Sequence, residues 1–295
     1  MKYNPIDTEA FMLDFSKYEQ TETYYGGSER KIGISVDGYE YMLKFRKNTN
    51  FGKRNNHVSE YIGSHIYELL GFDVQDTYLG LYNGEEVVAC KNFIPKDCQF
   101  VPFNDVGESS LEQDKEIYQY SYEDITQMLR DNTKLTNVQE TIDIFWDMYV
   151  VDALLGNFDR HGANWGFLKK NNKYSLAPVF DNGSSLYPNL TDESMMKMIM
   201  NSEEMTNERI YKFPTSQVKL NGEKSSYSEV IISLQYKECN EAVTKIYKKY
   251  RQAEVEKLID TTDFTTEIQR QFYKYMLNQR LEKILLPAYQ KLMER

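Results

Sequence analysis

The stretch GNFDRHGANWGFL, residues 156–168, directly follows the apolar run FWDMYVVDALL, residues 145–155. Across it and just before it, Ile142, Phe145, Trp146, Tyr149, Val150, Ala153 and Leu154 recur at helical spacing over three turns, which predicts a buried central helix ended by Gly156. The chain then runs through a polar loop, and Trp165–Leu168 turns apolar again. A buried helix that delivers an Asp, an Arg, a His and an Asn onto one short loop is a scaffold for chemistry, and the remaining segments are interpreted relative to it.

The 295 residues bury a large core, roughly three quarters of the unfolded surface for a chain of this size. Lys and Arg number 35 against 45 Asp and Glu, a net charge of −10 that repels polyanions and argues against direct nucleic-acid binding. Hydrophobic residues at 41% and charged residues at 27% are ordinary globular usage. No apolar run approaches the ~20 residues of a membrane span, so no stable membrane insertion is expected. MKYNPIDTEAFMLDF, residues 1–15, lacks the apolar core of a signal peptide, and a cytoplasmic location is expected; a specialised secretion route is not tested by this pattern. Cys90, Cys98 and Cys239 form no CxxC pair and read as reduced thiols, and His57, His65 and His161 are too few for a multi-histidine metal centre.

The pattern changes near residue 95. Before it, KIGISV (31–36), YEYMLKF (39–45), DTYLGLY (76–82) and EEVVACKNF (85–93) are short and β-rich, and Asp37-Gly38 and Asn83-Gly84 signal turns, which predicts an antiparallel meander. Val58, Tyr61, Ile62, His65, Ile66 and Leu69 predict one helix over 57–70, stopped at Gly71. After residue 95 the chain is mostly helical: a polar stretch at 104–114 reads as a loop, and 263–293 reads as terminal helices interrupted at Pro287. The expectation is an α+β molecule of two lobes, a small β-rich N-lobe at 1–94 and a larger α-helical C-lobe at 95–295.

Asp159 and Asn164 stand five positions apart, the offset between the base and the metal-binding amide in the kinase pattern HRDxxxxN, although here the His follows the Asp. In APVFDNGSSL, residues 177–186, an apolar strand delivers Asp181 into Asn182-Gly183, which suits a carboxylate offered to Mg²⁺ beside a turn. Phosphoryl transfer needs this set because its transition state is a problem of positioning and of neutralising charge. Arg160 and His161 are candidates for fixing the loop. Lys44 ends an alternating strand and Glu60 opens the following helix, with Glu68 as the alternative partner for an ion pair that sets Lys44 against phosphates. Gly26, Gly27 and Ser28 lie between apparent strands and allow backbone amides near phosphates, without a Walker A pattern. VACKNFI, residues 88–94, has the length and polarity of a hinge that passes an adenine, with Lys91, Asn92 and Phe93 at its end. KFRKNTNFGKRNNH, residues 44–57, is the one basic stretch; Lys53 and Arg54 in it are candidates for phosphates or an acidic substrate.

In this order, the glycine loop, Lys44, Glu60, the hinge near Lys91, Asp159-x4-Asn164 and Asp181 resemble the HipA-like serine/threonine kinase family, in its compact CtkA type, over about residues 20–290. The resemblance implies a bilobal protein-kinase-like fold that uses ATP and Mg²⁺ to phosphorylate Ser or Thr of a protein. It casts Asp159 as catalytic base, Asn164 and Asp181 as metal ligands and Lys44 as the nucleotide lysine. It also implies autophosphorylation, with Ser28 as one candidate, and a toxin or effector role. An antitoxin partner, bound by full-length HipA, is left open, because this chain starts almost at the kinase domain. The order Asp159-Arg160-His161-x2-Asn164 is also similar to phosphoinositide kinases, so a lipid or small-molecule kinase stands as the alternative, and a non-catalytic nucleotide-binding module as a third reading.

Overall fold

Alternation of apolar and polar residues sets the first half of the chain. In the computed structural model, which describes residues 12–26, 29–49, 52–106, 120–121, 126, 129–130, 135 and 137–295, five strands form one sheet: β1 (Glu19–Thr21), β2 (Lys31–Val36), β3 (Tyr39–Phe45), β4 (Thr77–Tyr82) and β5 (Glu85–Lys91). The turns at Asp37-Gly38 and Asn83-Gly84 have positive φ at both residues, from 50° to 79°, which is the hairpin geometry their sequences favour. All pairs are antiparallel, but the order is β1-β2-β3-β5-β4, so β5 rather than β4 lies beside β3. The expected meander is corrected on that point: the helix between β3 and β4 carries the chain past the space that β5 then fills.

Odd residues of β3, Tyr41, Leu43 and Phe45, pack with Ile34, Val36, Val87, Ala89 and Phe15 on one sheet face. Even residues belong to the other face, where Lys44 pairs in register with Val88 and Met42 with Cys90. Against that face lies α1 (Asn56–Leu69), buried from Asn56 through Glu60 and again at Ile62, Gly63, Ser64, Ile66 and Tyr67, and followed by Gly71 at φ +86°. Its entry is pinned by Asn55 N–H, which donates to Pro188 O at 2.9 Å.

In the second half, α2 (Val138–Leu155) is capped by the Asn137 side chain and buried at every residue from Phe145 to Leu155. Gly156 ends it in the left-handed conformation, φ +62°. A three-stranded sheet of β6 (Gln99–Pro102), β7 (Gly166–Lys170) and β8 (Lys173–Leu176) lies beside its end, in the order β8-β7-β6. Helices α3 (Glu193–Met200), α4 (Glu203–Tyr211), α5 (Tyr227–Ser233), α6 (Lys237–Lys249), α7 (Gln252–Asp260), α8 (Glu267–Arg280) and α9 (Leu286–Met293) complete it around one large apolar core. The terminal interruption falls at a π-helical turn, Leu281–Leu285, ahead of Pro287; the proline itself is accepted in the first turn of α9, where its missing N–H costs nothing. The loop expected at 104–114 falls largely outside the described residues, which show only a short helical turn at Phe103–Val106 before it.

Candidate active site

The cleft face of β3 presents Lys44, 4% exposed, to two carboxylates. Its ammonium donates to Glu60 Oε2 at 2.8 Å and to Asp181 Oδ1 at 2.9 Å. Between Glu60 and Glu68, the structure selects Glu60. The other Glu60 oxygen accepts the backbone N–H of Asn182 at 2.9 Å, so the helix carboxylate grips strand lysine and Asp181 turn together. Burial works to lower the Lys44 pKa, but Asp181 and Glu60 outweigh it and hold the ammonium well above its ordinary range. Burial likewise works to raise the Asp181 carboxyl, and Lys44, with help from Arg160 and Lys31, holds it below the usual carboxylate value. Asp181 itself sits at φ +58°, a left-handed position that Asp tolerates better than most residues.

The loop after α2 is built around Asp152, which is fully buried in the last turn of that helix. Asp152 accepts from Asn157 Nδ2 at 2.9 Å and from Arg160 Nε at 2.8 Å. Arg160, also buried, continues to Asn164 O, Phe180 O and the Asn182 side chain, so one guanidinium joins the helix end, the loop and the Asp181 turn. Asn182 in turn donates to Ser64 of α1 at 3.0 Å. The Asp159 peptide is held on both sides: its N–H donates to Asn157 Oδ1 at 3.0 Å, and its C=O accepts Asn164 Nδ2 at 2.8 Å. Its carboxylate stays half-exposed, with His161 Nε2 at 3.7 Å. Partial burial raises the Asp159 carboxyl above its ordinary value; His161 opposes the rise, Asp181 adds to it, and Arg54 and Arg160 oppose it. His161 Nδ1 accepts the Ala163 N–H at 3.2 Å, so the imidazole also braces the loop.

Around the nucleotide side the outcome is mixed. Gly26 O accepts the Lys31 ammonium at 2.8 Å. Gly27 and Ser28 lie outside the described residues. The hinge expected at 88–94 is shorter, because Val88–Lys91 belong to β5. Lys91 is corrected as a nucleotide contact: it pairs in register with Tyr41, on the sheet face opposite Lys44, and its ammonium lies 3.6 Å from Asp76 and over the Tyr39 ring. Its backbone is spent too, N–H on Asp76 O and C=O on Gln75 Nε2. Asn92 donates its N–H to Glu40 O, and the Phe93 ring packs on Phe100 and Phe180, 5.3 Å from the latter, at the floor of the cleft. Sequence reading missed Asp152, Asn157, Ser64 and Phe180. Asp152 carried a signal, an acidic residue inside a run that is otherwise apolar.

The arrangement offers a fixed ammonium, a carboxylate on a rigid backbone that is not consumed by a close ion pair, and two hard oxygen donors. Asp181 spends Oδ1 on Lys44, and Asn164 spends its amide N–H on the loop, which leaves the second carboxylate oxygen and the amide oxygen for a cation of the Mg²⁺ type.

Comparison with known proteins bears on this site. Residues 23–254 match the model of the HipA-like C-terminal domain. The chain is 35% identical over 287 residues to the serine/threonine-protein kinase CtkA of Helicobacter pylori, covering 95% of this chain and 88% of that one. The crystal structure of the Helicobacter pylori proinflammatory kinase CtkA superposes with a TM-score of 0.87 at 33% identity, over 96% and 98% of the two chains. HipA of Shewanella oneidensis, from its complex with HipB and operator DNA, shares the fold with a TM-score of 0.55 at 15% identity, over 96% of this chain and 70% of that one.

Proposed function

The chain belongs to the HipA-like kinase family, and from that premise we propose that it is a serine/threonine protein kinase that transfers the γ-phosphoryl group of ATP to a protein hydroxyl. The observation that carries this reading is the joining of Lys44, Glu60 and Asp181 to a loop whose Asp159 carboxylate is half-exposed, with His161 no closer than 3.7 Å. We divide the molecule between residues 94 and 95, with the nucleotide between the two parts.

Lys44 holds the α and β phosphates, and Glu60 keeps its ammonium in place. Asn164 and Asp181 are the residues that would hold Mg²⁺, which would neutralise charge on the phosphate oxygens. Asp159 orients the acceptor hydroxyl and takes its proton, a task that its raised pKa favours. Arg160 and Asn157 supply no chemistry and fix the loop so that Asp159 does not need to be ordered during the reaction. The nucleotide is further assigned to Gly26, Gly27 and Ser28 by their sequence and to Asn92 and Phe93 after the β5 strand. Self-labelling and a toxin or effector role belong to the same proposal, and the first of these is read out as label on the chain itself. Among the described residues no helix is long and apolar enough to cross a membrane.

The test is transfer from γ-labelled ATP with Mg²⁺ to generic proteins, to the chain itself and, separately, to phosphoinositide vesicles. Asp159→Asn is expected to lower protein labelling by about 10²- to 10⁴-fold, the usual contribution of a positioned base. Undiminished transfer by that variant refutes the assigned base, and label on lipid alone refutes the protein-kinase reading.

A further inference from the structure

In the basic segment 44–57, the cationic residues after Lys44 have no role in phosphoryl transfer itself. Its first arginine, Arg46, is fully occupied: it bonds Glu86, the Asn55 side chain and the carbonyls of Lys53 and Arg54. Arg54 is different. Its Nε and Nη2 are withdrawn from solvent and have no acceptor among the described residues. A guanidinium cannot discharge itself by losing a proton, so such donors are costly unless something supplies oxygens. What holds it there is a ring: its guanidinium carbon lies 5.9 Å from the centre of Phe158.

Phe158 is the residue before Asp159, and the Arg54 charge already reaches the Asp159 carboxyl. The same ring lies 5.9 Å from Phe213 and helps line a cavity of about 370 Å³, together with Tyr187, Leu190, Glu208 and Lys212. Phe213 is 44% exposed there, and Tyr211 close by in sequence is 40% exposed. The volume falls in the range of about 300–1,000 Å³ typical of ligand pockets, enough for one bulky side chain. Arg54 and the cavity thus share the Phe158 ring, next in sequence to Asp159, whereas Lys44 and Asp181 are engaged with each other.

We propose that Arg54 and this cavity form an acceptor-recognition subsite, which takes a protein segment carrying an oxyanion, carboxylate or phosphate, together with a bulky apolar side chain near the Ser or Thr to be phosphorylated. The occupant is set by complementarity: unpaired cationic donors call for the anion, and the aromatic walls call for the apolar group. This rests on the protein-kinase reading and names the substrate class for it. Arg54 is a binding residue here and takes no part in proton transfer.

The test uses degenerate Ser/Thr peptides, each fixing one flanking residue as Asp, Glu, phosphoserine, Leu, Phe or Ala, with wild type, Arg54→Ala, Arg54→Lys and Phe213→Ala. Wild type is expected to favour acidic over neutral flanks by about 10- to 100-fold in kcat/KM, mostly through KM, as for a charge-assisted contact. Arg54→Ala brings that ratio to about one, and Arg54→Lys, which keeps the charge without the fork, retains part of it. Phe213→Ala loses the preference for Leu and Phe and keeps the acidic one, so a variant that merely misfolds is recognised. Enrichment of phosphoserine over Asp and Glu identifies the anion as phosphate, and the reverse identifies it as carboxylate. Labelling without an acidic preference, or with one that survives in Arg54→Ala, overturns the subsite alone. Wild type that labels no peptide and no protein overturns the kinase reading on which it rests.

Discussion

At the residue scale, the cleft holds two aspartates with opposite electrostatic fortunes. Asp181 has a folded pKa below its ordinary 3.8. The stability it brings is complete above pH 3.8 and is lost as pH falls through the still lower folded value. Asp159 has a folded pKa above 3.8, so its ionised form costs stability at every pH above that folded value. Asp159→Asn is therefore expected to slow transfer and yet to raise the melting temperature at pH 7; since the side chain is half-exposed, the gain is about 1 °C. A fall in melting temperature would contradict the sign. Glu60 is the reverse case. Glu60→Gln removes one charge from a dry pair, which costs on the order of 3 kcal/mol, and frees Lys44 to lean on Asp181 alone. Urea denaturation reads the first effect, and a raised KM for ATP reads the second.

At the scale of elements, the last turn of α2 and the loop after it act as one piece because Asp152 is shared by Asn157 and Arg160. Spacing made part of this legible: a stripe over three turns with a glycine stop predicts a buried helix, and an Asp and an Asn five apart on a polar loop stand out locally. Arg160 was legible only as something that fixes the loop, since its other partners, Phe180 and Asn182, are 20 and 22 residues away and no local pattern encodes them. The choice of Glu60 over Glu68 was likewise settled only by the packing of α1 against the Asp181 turn. Arg160→Met keeps the bulk and leaves Asp152 buried without its cation, with an expected loss of about 3–5 kcal/mol in denaturant unfolding. A change below about 1 kcal/mol would mean that the loop is held by something other than this arginine.

At the scale of the molecule, the division into a sheet-rich first part and a helical second part was visible in the change from two-residue to helical periodicity. Strand order was not. The Asp-Gly and Asn-Gly turns specify their own hairpins, but which hairpin edges meet depends on where α1 lands, and that in turn put Lys91 on the face away from the cleft. One residue late in the chain closes the assembly. Arg280, 1% exposed, donates to Ala153 O at the end of α2, to Tyr187 Oη, and to Arg209 O and Phe213 O beside the proposed acceptor cavity. Its guanidinium lies against Gly156, where an added Cβ would come within 3.1 Å. Arg280→Met takes the guanidinium from Ala153 O, Tyr187 Oη and Phe213 O, while Arg209 O keeps the Tyr187 hydroxyl as donor, and an expected loss of at least about 3 kcal/mol should appear together with slower phosphate transfer. Normal transfer by a variant so destabilised would separate Arg280 from the site.

That tie also orders events in time. Arg280 comes 127 residues after Ala153, and at about 5–20 residues per second of synthesis the ribosome needs roughly 6 to 25 s to make the intervening chain. Once Asn164 has been added, 11 residues into that interval, the nascent polypeptide contains every residue of the catalytic loop but not the side chain that clamps its supporting helix. Activity is thereby deferred until translation has passed well beyond the loop, and a truncated or stalled product carries the motif without the means to hold it.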